Sequence, residues 1–365
     1  MAKIDKDSGN NISNIVIRPL AKGDIQGYID LHALIFWNAR LDPKAKKYFE
    51  WKLYQNPAGP SHGAVAIAKD KLTGIYASVP LQVSLNNKIY ICYEVVASSV
   101  HPDYRGRYIF HKLFSKTKEV ILKEKSVLMF GFPNEIALKI GEKSLLYRRV
   151  LYIREYVKVL DFRGFIDKRK HSIFSKTILY LLSPVMNCLL HFTGKIYKPS
   201  FYRVNTKPIS ELPSDYDEFW EEAKKKYKII IVRDKSHLRW RFFDEPYLVN
   251  EVFEARIDQR LVGYFVLRFK DKCVYVIDFF CLRKEKIIKS VFYTMLNLAK
   301  QRKAWKISFK IRDDYIEELI SKEKFTVENA SAFVIGDIYS PGSDFEDGFS
   351  RSKDWYLTSN SFDIG

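Results

Sequence analysis

Three residue pairs in this 365-residue chain stand at one constant offset. Trp51 and Trp240, Pro57 and Pro246, and Gly74 and Gly263 are each 189 positions apart, and Lys52 matches Arg241 beside the tryptophans. Around the glycines the chain reads AVAIAKDKLTGIYASVPLQV and later EVFEARIDQRLVGYFVLRF, in both places a strand, a turn and a strand. A spacing of this kind marks one unit made twice. It predicts two copies of a single α/β (α+β) mixed-sheet domain, at 14–165 and 206–340. A disordered lead-in (1–13), a basic and apolar helical linker (166–205) and a polar, irregular tail (341–365) complete the reading.

Within the first copy the informative stretch is 95–134, VVASSVHPDYRGRYIFHKLFSKTKEVILKEKSVLMFGFPN. It reads as an apolar strand, a basic turn, an amphipathic helix and a second apolar strand. Ile109, Phe110, Leu113, Phe114, Val120 and Ile121 fall at helical spacing with lysines opposite. Asn86-Asn87 upstream is a hairpin turn between two strands. A helix that starts just after Arg105, Gly106 and Arg107 offers free amides, a positive dipole end and two guanidiniums to an anion. The plainer alternative is a βαβ crossover with a solvated basic turn. The second copy reads Leu282-Arg283-Lys284-Glu285-Lys286 at the equivalent turn. With no glycine and an added carboxylate, it is a poor phosphate cradle, so the cofactor is expected in the first copy.

The formal net charge of +18 favours polyanionic partners: nucleic acid, anionic lipid or a phosphate-rich cofactor. Four cysteines stand far apart, and Cys92, Cys188 and Cys281 lie in apolar runs typical of buried reduced thiols. With no apolar signal region at the N-terminus, a cytoplasmic protein is expected. The uncharged run 178–192 follows Lys168-Arg169-Lys170-His171 and carries Pro184 near its middle. It is short of the ~20 residues that span a bilayer. It suits either a linker helix packed between domains or a helix lying in the membrane interface, with peripheral contact over 172–195. The seven histidines form no metal spacing, and no metal is expected.

VHPDYRGRYIFHKLF followed by GFPN resembles the GNAT superfamily of acyl-CoA-dependent N-acyltransferases, and the duplication resembles its tandem members, in which one copy is degenerate. The resemblance implies a sheet splayed between its fourth and fifth strands, here 90–100 and 127–132. The pantetheine arm of acetyl-CoA, or another acyl-CoA, would bond to backbone of Ser98, Ser99 and Val100. The pyrophosphate would rest on the turn formed by Arg105, Gly106, Arg107, Tyr108, Ile109 and Phe110, and Asn134 would contact the cofactor arm. Two positions depart from the family pattern R/Q-x-x-G-x-G/A and N-x-x-A-x-x-L-Y-E-K. Tyr108 and Phe110 replace both later glycines of the turn, and Gly141 stands where the family has its proton-donating tyrosine. A side chain fits the turn if its dihedrals are helical, and Phe110 can turn into the core. Either Tyr147 replaces the missing acid or the thiolate leaves without one.

The implied function is N-acyl transfer from acyl-CoA to a primary amine by direct attack in a ternary complex. The acceptor class suggested by tandem members is an amino sugar of a surface-glycan pathway, and nucleic acid is not expected as a partner of such an enzyme. The alternative is a degenerate, non-catalytic module that binds a polyanion or a membrane surface. The reaction needs a base for the ammonium and a backbone N–H, near Ser99, for the carbonyl oxygen. Glu94 is the first candidate base, its strand parity setting it on one face with Val96 and Ser98; its alternative is a surface carboxylate of the hairpin. His101 is the second candidate, or a cap for the turn. Asp278, a charge amid Val276, Ile277, Phe279 and Phe280, is either an ion-pair member or a ligand for the substrate amine.

Overall fold

The computed structural model describes residues 15–36, 44–106, 108–124, 126–145, 147–168, 173–193, 202–247, 249–338, 349 and 351–361. The expected lead-in, 1–13, lies outside the described residues. The first half runs β1 (Val16–Pro19), α1 (Ile25–Phe36), α2 (Ala45–Tyr54), β2 (His62–Ala68), β3 (Lys71–Leu85) and β4 (Lys88–Val100). It continues with α3 (Ile109–Lys123), β5 (Leu128–Gly131), α4 (Glu135–Ser144) and β6 (Arg148–Val159). Helices α5 (Phe162–Lys168) and α6 (Ile173–Thr193) connect the halves.

The second half repeats the series. It runs β7 (Asn205–Ile209), α7 (Tyr216–Lys224), β8 (Ile229–Ile231), α8 (Lys235–Leu238) and a wide helical turn at Arg239–Phe243. Then come β9 (Glu251–Ile257), β10 (Arg260–Lys270), β11 (Cys273–Cys281), α9 (Glu285–Gln301), β12 (Lys306–Arg312), α10 (Asp314–Lys322) and β13 (Thr326–Ile338). A last strand, β14 (Trp355–Thr358), lies where a polar irregular tail was expected. Its Trp-Tyr-Leu triplet is fully buried, which gives the strand its drive to fold inward.

Two-residue turns set the strand registers. Lys69-Asp70, Asn86-Asn87, Asp258-Gln259 and Asp271-Lys272 all have left-handed backbone, the geometry whose twist matches a hairpin. Lys69 and Asp258 extend the 189-residue offset to the turn itself. β3 runs unbroken through Pro80, Leu81 and Gln82. Pro80 faces the side beyond the end of β2, so its missing N–H leaves no gap in the ladder.

The strands form one sheet in the order β1-β2-β3-β4-β5-β13-β6-β12-β11-β10-β9-β7. β6 of the first half pairs with β12 of the second, and β13 of the second pairs with β5 of the first. Each half thus lodges its last strand beside the other's fifth, and the two exchanged strands pair with each other. β8 bonds to the far end of β3 and to β14, and β14 bonds to β12. These pairings close a ring of eight strands: β3, β4, β5, β13, β6, β12, β14 and β8. Val83, Phe130, Ile153, Ile231, Phe333 and Trp355 fill its interior.

At the mouth of the ring the paired tryptophans meet. Trp51 Nε1 donates to the Trp240 carbonyl at 2.9 Å, and Trp240 Nε1 donates to the Trp51 carbonyl at 3.2 Å. Their rings stack at 5.0 Å between centroids and 22° between planes. The paired glycines also serve close approaches. A Cβ on Gly74 would lie 3.0 Å from Leu113 Cδ1 of α3, and one on Gly263 would lie 2.6 Å from Cys281 Cβ. Cys92 and Cys281 are buried as expected, whereas Cys188 is exposed on α6, whose apolar run faces outward.

Trp51→Phe and Trp240→Phe should each cost about 1 kcal/mol for the lost hydrogen bond and its orphaned carbonyl. Because the two bonds are reciprocal, a double-mutant cycle in urea should show coupling of about 0.5 kcal/mol or more; additive losses would contradict this account.

Candidate active site

β4 and β5 pair in parallel only from Cys92–Leu128 to Val95–Gly131. β4 then runs on to Val100 with no strand partner on that edge, while the chain after Gly131 turns away into α4. This is the splay expected from sequence. Ser98, Ser99 and Val100 lie on the open stretch.

A β-bulge sits at its base. Ala77 opposes Ala97 but Ser78 opposes Val95, so Val96 is an extra residue in β4. The bulge breaks the parity expected to place Glu94, Val96 and Ser98 together. Glu94 opposes Val79 on the face that carries α1 and α2, whereas Ser98 opposes Tyr76 on the face that carries α3. Ser98 therefore stands on the opposite side of the sheet from Glu94.

The basic turn follows. His101 Nδ1 accepts from the Asp103 amide at 3.2 Å, which is the capping alternative and takes His101 away from the Glu94 face. The Arg105 guanidinium folds back to the Val100 carbonyl at 3.2 Å, and Gly106 has φ +76°. Arg107 lies outside the described residues. Tyr108 was expected to fit only with helical dihedrals; it instead takes left-handed φ 56°, ψ 14° as the N-cap of α3. That conformation costs a non-glycine residue about 1–2 kcal/mol, and the side chain avoids the turn by standing 75% exposed in solvent. The Tyr108 side chain does not cap α3, and no hydrogen bond from a described residue reaches its first-turn amides at Ile109 and Phe110. The Phe110 ring packs inward, 5.5 Å from that of Tyr76.

Asn134 caps α4, its Oδ1 accepting from the Ala137 amide at 2.9 Å. Gly141 is required by Tyr147, because a Cβ there would lie 2.1 Å from Tyr147 Cδ2. The Tyr147 ring thus fills the space into which a side chain at 141 would project. Its hydroxyl meets that of Tyr76, and burial pushes its pKa up to about 12, a shift that the Tyr76 bond opposes.

On the other face Glu94 lines a recess at the mouth of the strand ring. Tyr48, Trp51, Lys52, His237, Trp240, Arg241 and Asn360 complete its polar and aromatic lining, so both halves build it. His237, which the sequence reading passed over, is nearly fully buried and its Nε2 has no hydrogen-bond partner. The signal was present: His237 lies 189 residues from Tyr48, which also lines the recess. Asp234 caps α8 by accepting from the His237 amide at 2.8 Å. Burial pushes the imidazole down to about 4, helped by Arg233 and Arg241 and opposed by Asp234 and Asp278.

Asp278 takes the ion-pair role rather than facing a substrate. It is fully buried and accepts from Arg233 Nε at 3.1 Å, Tyr264 at 2.7 Å, Thr358 Oγ1 at 2.7 Å and Asn360 Nδ2 at 3.1 Å. Burial opposes the charge on Arg233, but Asp278 more than offsets it and holds the guanidinium above its usual range. The second half also splits, since β11 and β12 part after Val276–Phe309. There β14 inserts, bonding Thr358 to Ile311 and Leu357 to Arg312. At its turn Arg283 is spent on Asp313 at 2.5 Å, and Glu285 occupies the first turn of α9. One splay is open and the other is filled by the chain itself. No group of three or more metal-ligating side chains occurs among the described residues.

An acetyltransferase (GNAT) domain model matches residues 16–141. No curated protein sequence matches the chain. Among solved structures, a GCN5-related N-acetyltransferase from Anabaena variabilis aligns with TM-score 0.62 and 13% identity, over 88% of this chain and 72% of that one. A probable N-acyltransferase from Enterococcus faecalis gives TM-score 0.62 and 12% identity over the same shares. N-myristoyltransferase from Saccharomyces cerevisiae with bound myristoyl-CoA gives TM-score 0.57 and 14% identity, over 89% and 83%. The fold is a GNAT-like mixed α/β fold with one large sheet.

His237 titrates near 6.5 when exposed and near 4 when folded, so the folded state binds fewer protons. Its contribution to stability is complete above pH 6.5 and is lost as pH falls towards 4. Thermal melts across that window should fall less steeply for His237→Gln than for the natural protein; equal slopes would rule this contribution out.

Proposed function

We propose that the protein is an N-acyltransferase that moves an acetyl or short acyl group from acyl-CoA to a primary amine, by direct attack in a ternary complex. The observation that carries the reading is the open β4 edge running into an uncapped helix start, within the 16–141 segment that the acetyltransferase model matches. Backbone of Ser98, Ser99 and Val100 would hold the pantetheine arm, and Arg105, Gly106, Arg107 and the amides from Tyr108 to Phe110 the pyrophosphate. Acyl-CoA supplies an activated thioester carbonyl. Asn134 keeps its family position at the end of the splay, with its Oδ1 engaged in the cap. The reading assigns the cofactor to a first half, 14–165, and support to a second, 206–340, joined by 166–205.

The two faces of the split strand separate the chemistry. Glu94, on the recess face, would accept the ammonium proton, directly or through water, with the amine arriving from the recess. An amide near Ser99 would meet the carbonyl oxygen. Tyr147, on the α3 face and kept protonated by burial, would give its proton to the departing thiolate. The acceptor proposed is an amino sugar of a surface-glycan pathway.

A second part of the proposal concerns location. Ile178, Leu181, Leu182 and Val185 are exposed at helical spacing on α6, Leu181 by 76%. The opposite face is polar and points inward. Ser183 accepts from Arg163 Nε at 2.9 Å, and Asn187 bonds the Phe162 amide at 2.7 Å and Asp161 at 2.9 Å. Between Asp167 and Glu211 the sequence carries eight Lys or Arg and no carboxylate. An amphipathic helix turned inside out within a basic segment suits an anionic membrane surface. No helix among the described residues is long and apolar enough to cross a membrane.

Calorimetric titration with acetyl-CoA should show binding, and Glu94→Gln should lower kcat/KM at least about 100-fold with little change in cofactor affinity. Absence of binding at millimolar acetyl-CoA, with salt-sensitive binding of a polyanion instead, would replace this reading with the non-catalytic one. Leu181→Asp with Leu182→Asp should abolish sedimentation with vesicles containing anionic lipid; unchanged partitioning would remove the membrane contact.

A further inference from the structure

One buried nitrogen in the lining of the recess beside Glu94, His237 Nε2, has no hydrogen-bond partner among the described residues, on a side chain only 8% exposed. The other polar groups of the lining are engaged within the protein. The Trp51 and Trp240 N–H groups are given to each other's carbonyls. Asn360 Oδ1 accepts from Arg241 Nε at 3.3 Å, and Asn360 Nδ2 donates to Asp278 Oδ2 at 3.1 Å. Glu245 acts on both Lys52 and Arg241, and Tyr48 and Glu94 also have partners. The charges of the recess are therefore matched, and what it lacks is a single neutral hydrogen bond.

The imidazole is held in place and kept uncharged. Asp234 Oδ1 accepts from the His237 amide at 2.8 Å, and the imidazole meets a Trp240 ring edge-on, 5.6 Å between centroids and 60° between planes. Burial, Arg233 and Arg241 push it down to about 4 against Asp234 and Asp278, so near pH 7 it does not compete with Glu94 for a proton. A neutral imidazole presents either a lone pair or an N–H at Nε2. A hydroxyl both donates and accepts, so it satisfies Nε2 in either tautomer, whereas an ammonium or a carbonyl serves only one. An alkyl group in the same place leaves the nitrogen at its full desolvation cost.

We propose that His237 Nε2 hydrogen-bonds a hydroxyl of the acceptor, which makes His237 a specificity-determining residue that selects hydroxylated amines over plain alkylamines. This rests on the acyltransferase reading in assigning the recess to the acceptor. Glu94 takes the ammonium proton, and His237 reads a hydroxyl elsewhere on the same molecule. An amino sugar or an amino alcohol meets both requirements, and an alkylamine meets one.

The full-length protein is titrated calorimetrically at pH 7.5 with probes that differ by one hydroxyl: ethanolamine against ethylamine, 3-amino-1-propanol against propylamine, and 2-aminocyclohexanol against cyclohexylamine. The hydroxylated member of at least one pair should bind roughly tenfold or more tighter. His237→Phe keeps a ring and removes its nitrogens, and should bring that probe within about twofold of its partner, whereas His237→Gln should retain part of the preference. If His237→Phe does not fold, the 15N resonance of Nε2 in the natural protein reads the same contact, moving with the hydroxylated amine and not with its partner. No preference in any pair, absence of binding by every hydroxylated probe, a preference that survives His237→Phe, or an unmoved resonance overturns the proposal. A merely structural histidine would lower stability on substitution and leave the preference as it was. Acetyl-CoA is titrated separately. A hydroxyl preference without acetyl-CoA binding sinks the acyltransferase reading alone, and acetyl-CoA binding without a preference sinks this proposal alone.

Discussion

Two indole N–H groups, each given to the other tryptophan's carbonyl, tie the architecture together. Neither Trp51 nor Trp240 can satisfy its buried N–H without the equivalent residue of the other half. Each of these bonds reaches a residue 189 positions away, in the other half of the chain. The exchange of β6 and β13 belongs to the same geometry, because strands that trade places leave neither half with a complete sheet. The ring of eight strands and the recess at its mouth follow. Lys52 and Arg241 enter that recess because each adjoins one of the stacked tryptophans.

Symmetry ends at the splays. In the first half, among the described residues, the β4 edge beyond Val95 has no strand partner and no side chain of the following turn caps the α3 amides. In the second half the equivalent gap holds β14, whose Thr358, with Asn360 just beyond, engages Asp278, while Arg283 is neutralised by Asp313. The first half therefore keeps its gap open, and β14 fills the gap in the second.

Much of this was legible in the residues. The Asn-Asn hairpin and the amphipathic α3 follow from local patterns, the 189-residue offset from matching pairs of residues, and the split after β4 was implied by the family resemblance. What escaped has non-local or single-residue causes. One inserted residue, Val96, reversed the facing of Ser98 relative to Glu94, and alternation rules cannot see a bulge. The strand exchange depends on pairing between segments far apart in sequence, which no window contains. Tyr108 kept the left-handed turn that glycine would serve by turning its ring to solvent, an outcome that composition does not distinguish from decay. His237 was missed because it was read as one of seven scattered histidines, although the repeat places it opposite Tyr48 in the same wall.

The strand exchange sets a timetable for synthesis. β5 pairs through Gly131 with Val334, about 200 residues later. At 5–20 residues per second, the ribosome takes roughly 10–40 s to supply that partner. Through this interval the half that carries the open splay exists as a nascent chain with a bare, apolar strand edge at β5, the kind of edge that recruits other chains. Closure of the ring waits longer still, until Trp355 has been made. The ring is thus bound to mature as a whole, and the chain's dependence on chaperones should be greatest before β13 and β14 are in place.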